Sequence, residues 1–399
     1  MAAIRNLNRL ELVGETMRYA LNSLAVVVPD WLREQVPTEW FERYGPPCSG
    51  WRLPKSKAKR EALAETIGQD GLDLCEMISQ SPQAEVLRLV PAVETLRQVW
   101  QQQYHLEEGQ SRWRDKKDVP RASQRIISPY DTEARFSVRR STKWSGYRAH
   151  LTETCDKDQP LLITNVEITP STSLDLTVTD TIHQHLQERD LLPGAHLVDA
   201  GYVDARALAE GESIYGLDLI GPAKLDISWQ AKAGQGFAKS CFIIDWEQEQ
   251  VTCPQEKTTD GWYRCQDSYG EPYIIAKFLT ADCRGCSTRV QCVRAPKAPR
   301  SITFRPKEQY VALERARRRQ TTKEFKEIYA QRAGVEGTIS QATRVCGLRR
   351  SRYIGIAKTH LQHVFTAVAI NLRRLAAWFE GTPRGQTRCS RFAALAPAT

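Results

Sequence analysis

Between residues 4 and 28, apolar side chains recur at Leu7, Leu10, Leu12, Val13, Met17, Leu21, Leu24 and Val27. Spacings of three and four put them on one helical face, and Pro29 marks the end of that helix. A second helical pattern covers residues 56–104, with interruptions expected at Gly68, Gly71 and Pro91. Between the two lies a connector rich in aromatics and proline, with Trp31, Trp40, Tyr44, Pro46, Pro47 and Trp51. Residues 1–110 therefore read as a helical region. The polar, charged stretch 111–143 reads as a linker or exposed loop.

From Trp144 the period changes. Gly146–Thr154 alternates apolar and polar residues, Asp156–Pro160 makes a turn, and Leu161–Thr169 is β-branched and apolar, so a hairpin is expected. A helix capped by Thr172 or Ser173 and running to Arg189, a strand at His196–Asp199, a helix to Tyr215 and a strand at Leu217–Ile220 follow. That order predicts an α/β sheet with crossover helices over 144–224. Residues 225–305 interrupt it with short strands at 241–246, 250–253, 273–279 and 301–305, a small β insertion. In 306–380, Lys307–Arg319 reads as a helix. Thr321-Thr-Lys-Glu324 fits a capping box opening a single helix to Arg344. A last helix, 358–380, carries Leu361, Val364, Phe365, Val368, Leu372, Leu375 and Phe379 on one broad face, expected to pack on the sheet or to form a dimer interface. Residues 381–399 are expected to be a disordered tail.

Charge sharpens this picture. The chain of 399 residues carries +9 overall, but Arg294–Arg374 holds 19 basic and 5 acidic residues. This fifth of the sequence is thus +14 and the rest −5, the footprint of a protein that binds a phosphate backbone by counterion release. No apolar run reaches membrane length, and the N-terminus lacks the apolar core of a secretory signal, so no membrane partner and a cytoplasmic chain are expected. Eleven cysteines, an odd number, argue for metal binding or buried thiols rather than a disulfide framework. Cys283-Arg-Gly-Cys286 is a C-x2-C knuckle with Cys292 close behind. With Cys253, or alternatively Cys265, these can supply four thiolates for a tetrahedral zinc ion.

Two acidic positions stand out. Asp199 is at the carboxyl end of a predicted strand, where open α/β sheets place ligands and catalytic groups, although an aspartate there also serves as a turn or helix cap. Tyr329, Arg332 and Glu336 are spaced three and four apart, on one face of the predicted helix. Gly334 and Gly337 flank Glu336 at a cost of roughly 1 kcal/mol each relative to alanine, which suits a site where something approaches the backbone.

Asp199-Ala-Gly-Tyr202 followed by Tyr329-x2-Arg332-x3-Glu336 resembles the second and third acidic positions of the DDE transposases of bacterial insertion sequences, in the branch with a Y-R-E signature. Ser128–Arg135, Gly146–His150, the cysteine knuckle and Gly347–Tyr353 resemble one group in that branch, and the likeness spans about residues 1–380. The resemblance implies an RNase H-like core, a mixed five-stranded sheet flanked by helices. In it three carboxylates hold two magnesium ions roughly 3.5–4 Å apart. It makes Asp199 and Glu336 metal ligands and sets Tyr329 and Arg332 on DNA phosphate. The branch lysine seven residues after the glutamate is Thr343 in this chain, so Arg344, Arg349, Arg350 or Arg352 is expected to supply that cation.

The opening Ala2–Leu10 resembles the sequence just after the strand that bears the first aspartate. The chain is therefore expected to begin inside the catalytic domain, with Asp131 as the fallback for the missing carboxylate. Implied partners are insertion-sequence ends, target DNA and a second copy of the chain in the nucleoid. Alternatives are a non-catalytic transposase-derived DNA-binding protein, which would tolerate loss of Asp199, and an RNase H-like nuclease, which would cleave without strand transfer.

Overall fold

The computed structural model describes residues 7–156, 158–234, 236–382 and 395. The chain divides into two compact units, Met1–Ser173 with Thr338–Thr399, and Leu174–Gly337. Both mix helices with small sheets, so the α/β class expected from the pattern holds. The expected tail at 381–399 lies, apart from residues 381, 382 and 395, outside the described residues. Among the described residues no helix is long and apolar enough to cross a membrane.

The first unit opens with α1 (Arg9–Val27), whose start is fixed by a capping box. The Asn8 side chain accepts from Leu10 N and Glu11 N, while Glu11 Oε2 accepts from Asn8 N at 2.9 Å. Pro29 does end α1, yet it also occupies the first turn of α2 (Pro29–Gln35), where its missing N–H costs nothing. With α3 (Thr38–Tyr44) this makes part of the expected connector helical. The interruptions expected at Gly68 and Gly71 do not occur: α4 (Lys57–Gln80) runs through both. These glycines serve packing instead. A Cβ on Gly71 would come within 2.1 Å of the Trp100 ring and one on Gly68 within 2.4 Å of Tyr104, and the Trp100 indole donates to Gly68 O at 2.8 Å. Trp100 belongs to α6 (Pro91–Gln103), which follows the short α5 (Ala84–Arg88) and starts at the proline. Leu10, Val13, Met17, Leu24, Leu74, Leu96 and Val99 form the sealed core of this helical cluster.

A hairpin, β1 (Tyr104–Glu107) and β2 (Gln110–Trp113), spans the junction of the region expected as helical and the one expected as a linker. Its turn places Glu108 at φ 50° and Gly109 at φ 79°, both left-handed as tight hairpins require. Next come β3 (Arg135–Arg139), β4 (Thr142–Glu153) and β5 (Ile163–Pro170), an antiparallel sheet that contains the expected hairpin in the register His150 opposite Glu167. The last helix, α15 (Ile356–Phe379), packs on β5. Its Asn371 side-chain amide pairs with Ile163 N at 2.8 Å and Ile163 O at 2.9 Å, continuing the ladder where no strand is available. The buried side of α15 differs from the expected one. Thr359, His363, Ala367 and Ile370 face inward, whereas Leu361, Phe365, Val368, Leu372 and Phe379 are exposed. Small side chains let the helix approach the sheet closely, and the bulky stripe lies to one side.

In the second unit α7 (Thr179–Gln187) is followed by β6 (Ala195–Leu197), α8 (Ala205–Ser213) and β7 (Asp218–Ile220), a βαβ element in which β6 and β7 are parallel. The strands that the resemblance assigns to one mixed sheet are thus three antiparallel strands in the first unit and a parallel pair in the second. Val198, Val203, Leu208, Leu217 and Leu219 pack beneath α12 (Lys307–Arg319) through Ala312. The α12 arginines are less free than their number suggests, because Arg315, Arg317 and Arg319 pair with Glu212, Glu314 and Asp218.

Short strands occur where the β insertion was expected. It comprises α9 (Trp229–Ala233), the hairpin β8 (Ile243–Asp245) and β9 (Gln250–Thr252), and a sheet of β10 (Thr259–Gln266), β11 (Pro272–Phe278) and β12 (Ser301–Phe304). Two short helices, α10 (Thr280–Arg284) and α11 (Arg289–Cys292), lie between β11 and β12. Phe242, Val251, Ile274, Ala276, Phe278, Ile302 and Phe304 make its core, with Cys253, Cys283 and Cys292 packed against it.

After α12 the expected single helix is two, α13 (Lys323–Ala330) and α14 (Ala333–Cys346). The start is capped one residue later than expected, by Thr322, whose hydroxyl accepts from Phe325 N at 3.2 Å. The break falls at Gln331–Arg332, where Gln331, Arg332, Gly334 and Val335 donate to carbonyls three residues back rather than four. This tightening ends one helix and redirects the next.

Candidate active site

β6 ends at Leu197, and the chain continues with Val198 N donating to Ile220 O at 2.8 Å before turning at Asp199. Asp199 caps a single 3₁₀ turn, Ala200–Tyr202, its Oδ1 accepting from Ala200 N at 3.1 Å. One carboxylate oxygen is therefore used locally, and the side chain remains 52% exposed. Gly201 brings this turn close to a second acid: a Cβ there would lie 2.8 Å from Asp175 Oδ2, the movable end of that side chain. Asp175, at the head of a 3₁₀ turn leading into α7, is thus a further carboxylate beside the Asp199 turn. Sequence reasoning missed it, since its only signal was a polar residue near a helix start.

Arg332, in the break between α13 and α14, joins the two acidic positions. Its Nη2 lies 3.5 Å from Asp199 Oδ2 and its Nη1 3.3 Å from Glu336 Oε1. Residues 137 positions apart in sequence thereby share one guanidinium. The arginine side chain is only 20% exposed, against 63% for Glu336, so the cation is the more sheltered member and the carboxylates open to solvent. Tyr329 sits on α13, its ring stacked on Phe325 at 5.3 Å. Burial raises its phenol above the usual range, Asp199 and Glu336 push the same way, and Arg332 opposes them. All four side chains therefore sense one another, although the single helical face expected for Tyr329, Arg332 and Glu336 is replaced by a helix end, a turn and a helix start. Gly337 has open space where a Cβ would stand, so no atom among the described residues explains its presence.

Asp131 has a different position. It belongs to the first unit and is 2% exposed. Its Oδ1 accepts from Tyr147 OH at 2.6 Å, Ala134 N at 3.1 Å and Glu133 N at 3.3 Å, and its Oδ2 from Gly355 N at 3.1 Å. Arg344, Arg349, Arg350 and Arg352 also belong to the first unit and are exposed. Arg344 Nε donates to Ser340 O at 3.4 Å, and the backbones of Arg350 and Arg352 are pinned by Gln362. The structure does not use these guanidinia in ion pairs among the described residues.

Of the cysteines, Cys253, Cys283, Cys286 and Cys292 line one cavity of about 250 Å³ in the β insertion, and Cys265, on β10, is not among its lining residues. These four, like Cys265, are free thiols. Among the described residues no three His, Cys, Asp or Glu side chains are gathered tightly enough, as they stand, to hold a metal ion. At the Asp199 site two open carboxylates offer oxygen donors only. That set fits a hard divalent cation such as magnesium, which binds through one or two carboxylates with water and phosphate oxygens filling its shell.

Compared with known proteins, residues 252–376 match the family model described as a transposase DDE domain. The matched segment contains Tyr329, Arg332, Glu336 and the cysteine cluster, while Asp199 lies before it. The match supports a DDE transposase, a class that generally uses divalent metal and acts on DNA. No curated protein and no solved structure gives a match.

Proposed function

We propose that this chain cuts and joins DNA as a transposase of the insertion-sequence type, with an RNase H-like catalytic core, and that Asp199 and Glu336 are two of its metal-binding carboxylates. The observation that carries the reading is the shared guanidinium of Arg332, which gathers at one solvent-open spot two acids from distant parts of the sequence. A divalent ion held there would activate water or a 3′-hydroxyl and offset charge on the leaving oxygen of a phosphodiester.

The chain's own residues do the rest. Without DNA, Arg332 is held by the carboxylates. A scissile phosphate is a better match for its planar fork and draws the guanidinium onto phosphate oxygens. Tyr329, kept protonated by burial and its acidic neighbours, donates its hydroxyl to a phosphate oxygen. The open space at Gly337 lets a sugar-phosphate backbone come close to α14. Arg344, Arg349, Arg350 and Arg352 bind DNA phosphates, where each contact adds affinity that falls with salt. The exposed apolar stripe of α15 is the surface for a homodimer. Asp131 is assigned a structural role, because its hydrogen bonds and burial leave it committed to its own loop.

The test is nicking of supercoiled DNA by the full chain with magnesium, beside Asp199→Asn and Glu336→Gln. The account expects both variants to lose at least about 100-fold in rate, in line with removal of a charge-stabilising group, while DNA affinity changes little. Equal nicking by the variants would overturn the assignment. DNA binding without nicking by the unaltered chain would favour the non-catalytic reading, and nicking without joining of 3′ ends to a second DNA would favour a nuclease.

A further inference from the structure

The β insertion is a small subdomain whose own apolar core is modest, centred on Phe242, Val251, Ile274, Phe278, Ile302 and Phe304. Against that core lie three thiols, Cys253, Cys283 and Cys292, and with Cys286 they come from three separate pieces of chain. Cys253 follows β9, Cys283 and Cys286 flank the end of α10, and Cys292 ends α11. They line the same cavity.

Three features of this cavity favour negative sulfur. First, backbone N–H groups are aimed at two of the thiols: Gln255 N donates to Cys253 Sγ and Arg300 N to Cys283 Sγ, each at 3.4 Å. Such donors are the outer partners that metal-bound sulfur takes. Secondly, the cavity is lined by two guanidinium groups, those of Arg289 and Arg300. They are held in place by carbonyl acceptors, Arg289 on Cys283 O at 3.1 Å and Arg300 on Cys292 O at 3.1 Å. Thirdly, Arg300 Nε is buried and has no acceptor among the described residues. A buried cationic donor left without a partner is costly and calls for an anion. As neutral thiols the cysteines do not provide one.

We propose that Cys253, Cys283, Cys286 and Cys292 form a structural zinc site that ties together the three chain segments of the β insertion, with Arg289 and Arg300 as counter-charges. Four thiolates on one zinc ion carry a net charge of −2, which the two guanidinia offset, and each cysteine gives up its proton to solvent on binding. The sulfurs must close in from their present positions, where Cys286 Sγ meets Thr288 Oγ1 at 3.3 Å. Zinc and not magnesium is the expected ion, because sulfur ligands are soft and magnesium takes oxygen. Cys265 is excluded as a ligand, since its thiol sits on β10 against Tyr263 O at 3.8 Å. This site stands independently of the reading of Asp199 and Glu336.

The experiment is metal analysis of the purified full chain, followed by replacement of zinc with cobalt. The proposal expects one zinc per chain that survives dialysis without chelator, and for the cobalt form an intense sulfur-to-metal charge-transfer absorption with the strong visible bands of tetrahedral coordination. Cys283→Ser and Cys286→Ser should each lose the metal or convert the cobalt spectrum to one with fewer sulfur ligands, and Cys265→Ser and Asp199→Asn should retain both. Because the cobalt spectrum is read on the unaltered protein, it decides the matter even if the serine variants fail to fold. A chain that holds no zinc when supplied with it, a cobalt spectrum without charge-transfer bands, or full metal content with an unchanged cobalt spectrum in the Cys283 and Cys286 variants would overturn the proposal.

Discussion

Replacing Arg332 with glutamine separates a structural ion pair from a working group. The two contacts, 3.3 and 3.5 Å long, are made to carboxylates more than half exposed, so each contributes no more than about 1 kcal/mol. The variant should therefore lose roughly 1 kcal/mol of stability, a shift of about 2–4 °C in Tm for a unit of this size. Its effect on divalent cations should be larger and opposite. A guanidinium about 4 Å from a divalent ion repels it by about 2 kcal/mol even at the dielectric of water. Removing that charge should tighten Mn²⁺ binding roughly 30-fold, since each 1.4 kcal/mol is tenfold.

DNA affinity should move the other way. With one phosphate contact gone, the slope of log affinity against log salt should flatten by about 0.9. The assays are Mn²⁺ titration by water-proton relaxation, thermal unfolding, and DNA binding over a range of salt, all on the full chain. Unchanged or weaker Mn²⁺ binding together with an unchanged salt slope would refute the reasoning, because the guanidinium would then be only a surface partner of two acids.

Two further outcomes follow from packing and burial. Gly71→Ala gains about 1 kcal/mol in helix propensity, but the new methyl would meet the Trp100 ring at 2.1 Å. Overpacking by that much costs about 1–3 kcal/mol, so urea unfolding should show a net loss, and a net gain would contradict the packing at α4. His183 and His196 form a neutral pair, Nε2 to Nδ1 at 3.0 Å, and burial holds each imidazole down at about 4. The unfolded chain takes up these protons at about pH 6.5, so stability is complete above that pH and falls as pH drops from 6.5 towards 4. Asp180 faces His183 and opposes the shift without reversing it, and Tyr215 meets the same ring edge-on. Unfolding measured between pH 7 and 4 should show this loss, and His196→Gln should flatten it. An unchanged slope in that variant would place the titration elsewhere.

Much of the second unit was legible because its elements are local. Alternation fixed the hairpin of β8 and β9 and the strands β11 and β12 to within a residue or two, and a strand followed by Asp-Ala-Gly-Tyr located the carboxylate turn. The errors arise where tertiary contact decides. Gly68 and Gly71 read as breaks, yet aromatic rings from α6 and β1 fill the space their missing side chains leave. Apolar bulk pointed to the wrong side of α15, since close packing on β5 selects Thr359, Ala367 and an Asn371 that can bond to strand backbone. The spacing of Tyr329, Arg332 and Glu336 was read as one helix. The three side chains do come together, but through a turn whose i to i−3 hydrogen bonds leave no mark in hydrophobic period. Asp131 shows the limit of placing a residue by order alone: it precedes the hairpin as expected, and its oxygens are occupied by Tyr147, Glu133, Ala134 and Gly355.

The most direct measurement is iron-directed cleavage of the polypeptide itself. Fe²⁺ occupies sites built for other hard divalent ions, and with ascorbate and peroxide it cuts the backbone beside its ligands. If Asp199 and Glu336 hold the same ion, the full chain should be cut near both positions, magnesium should protect both, and Asp199→Asn should abolish the two cuts together. Cutting near only one of them, or cutting near 336 that persists in Asp199→Asn, would show that the two carboxylates do not share a metal.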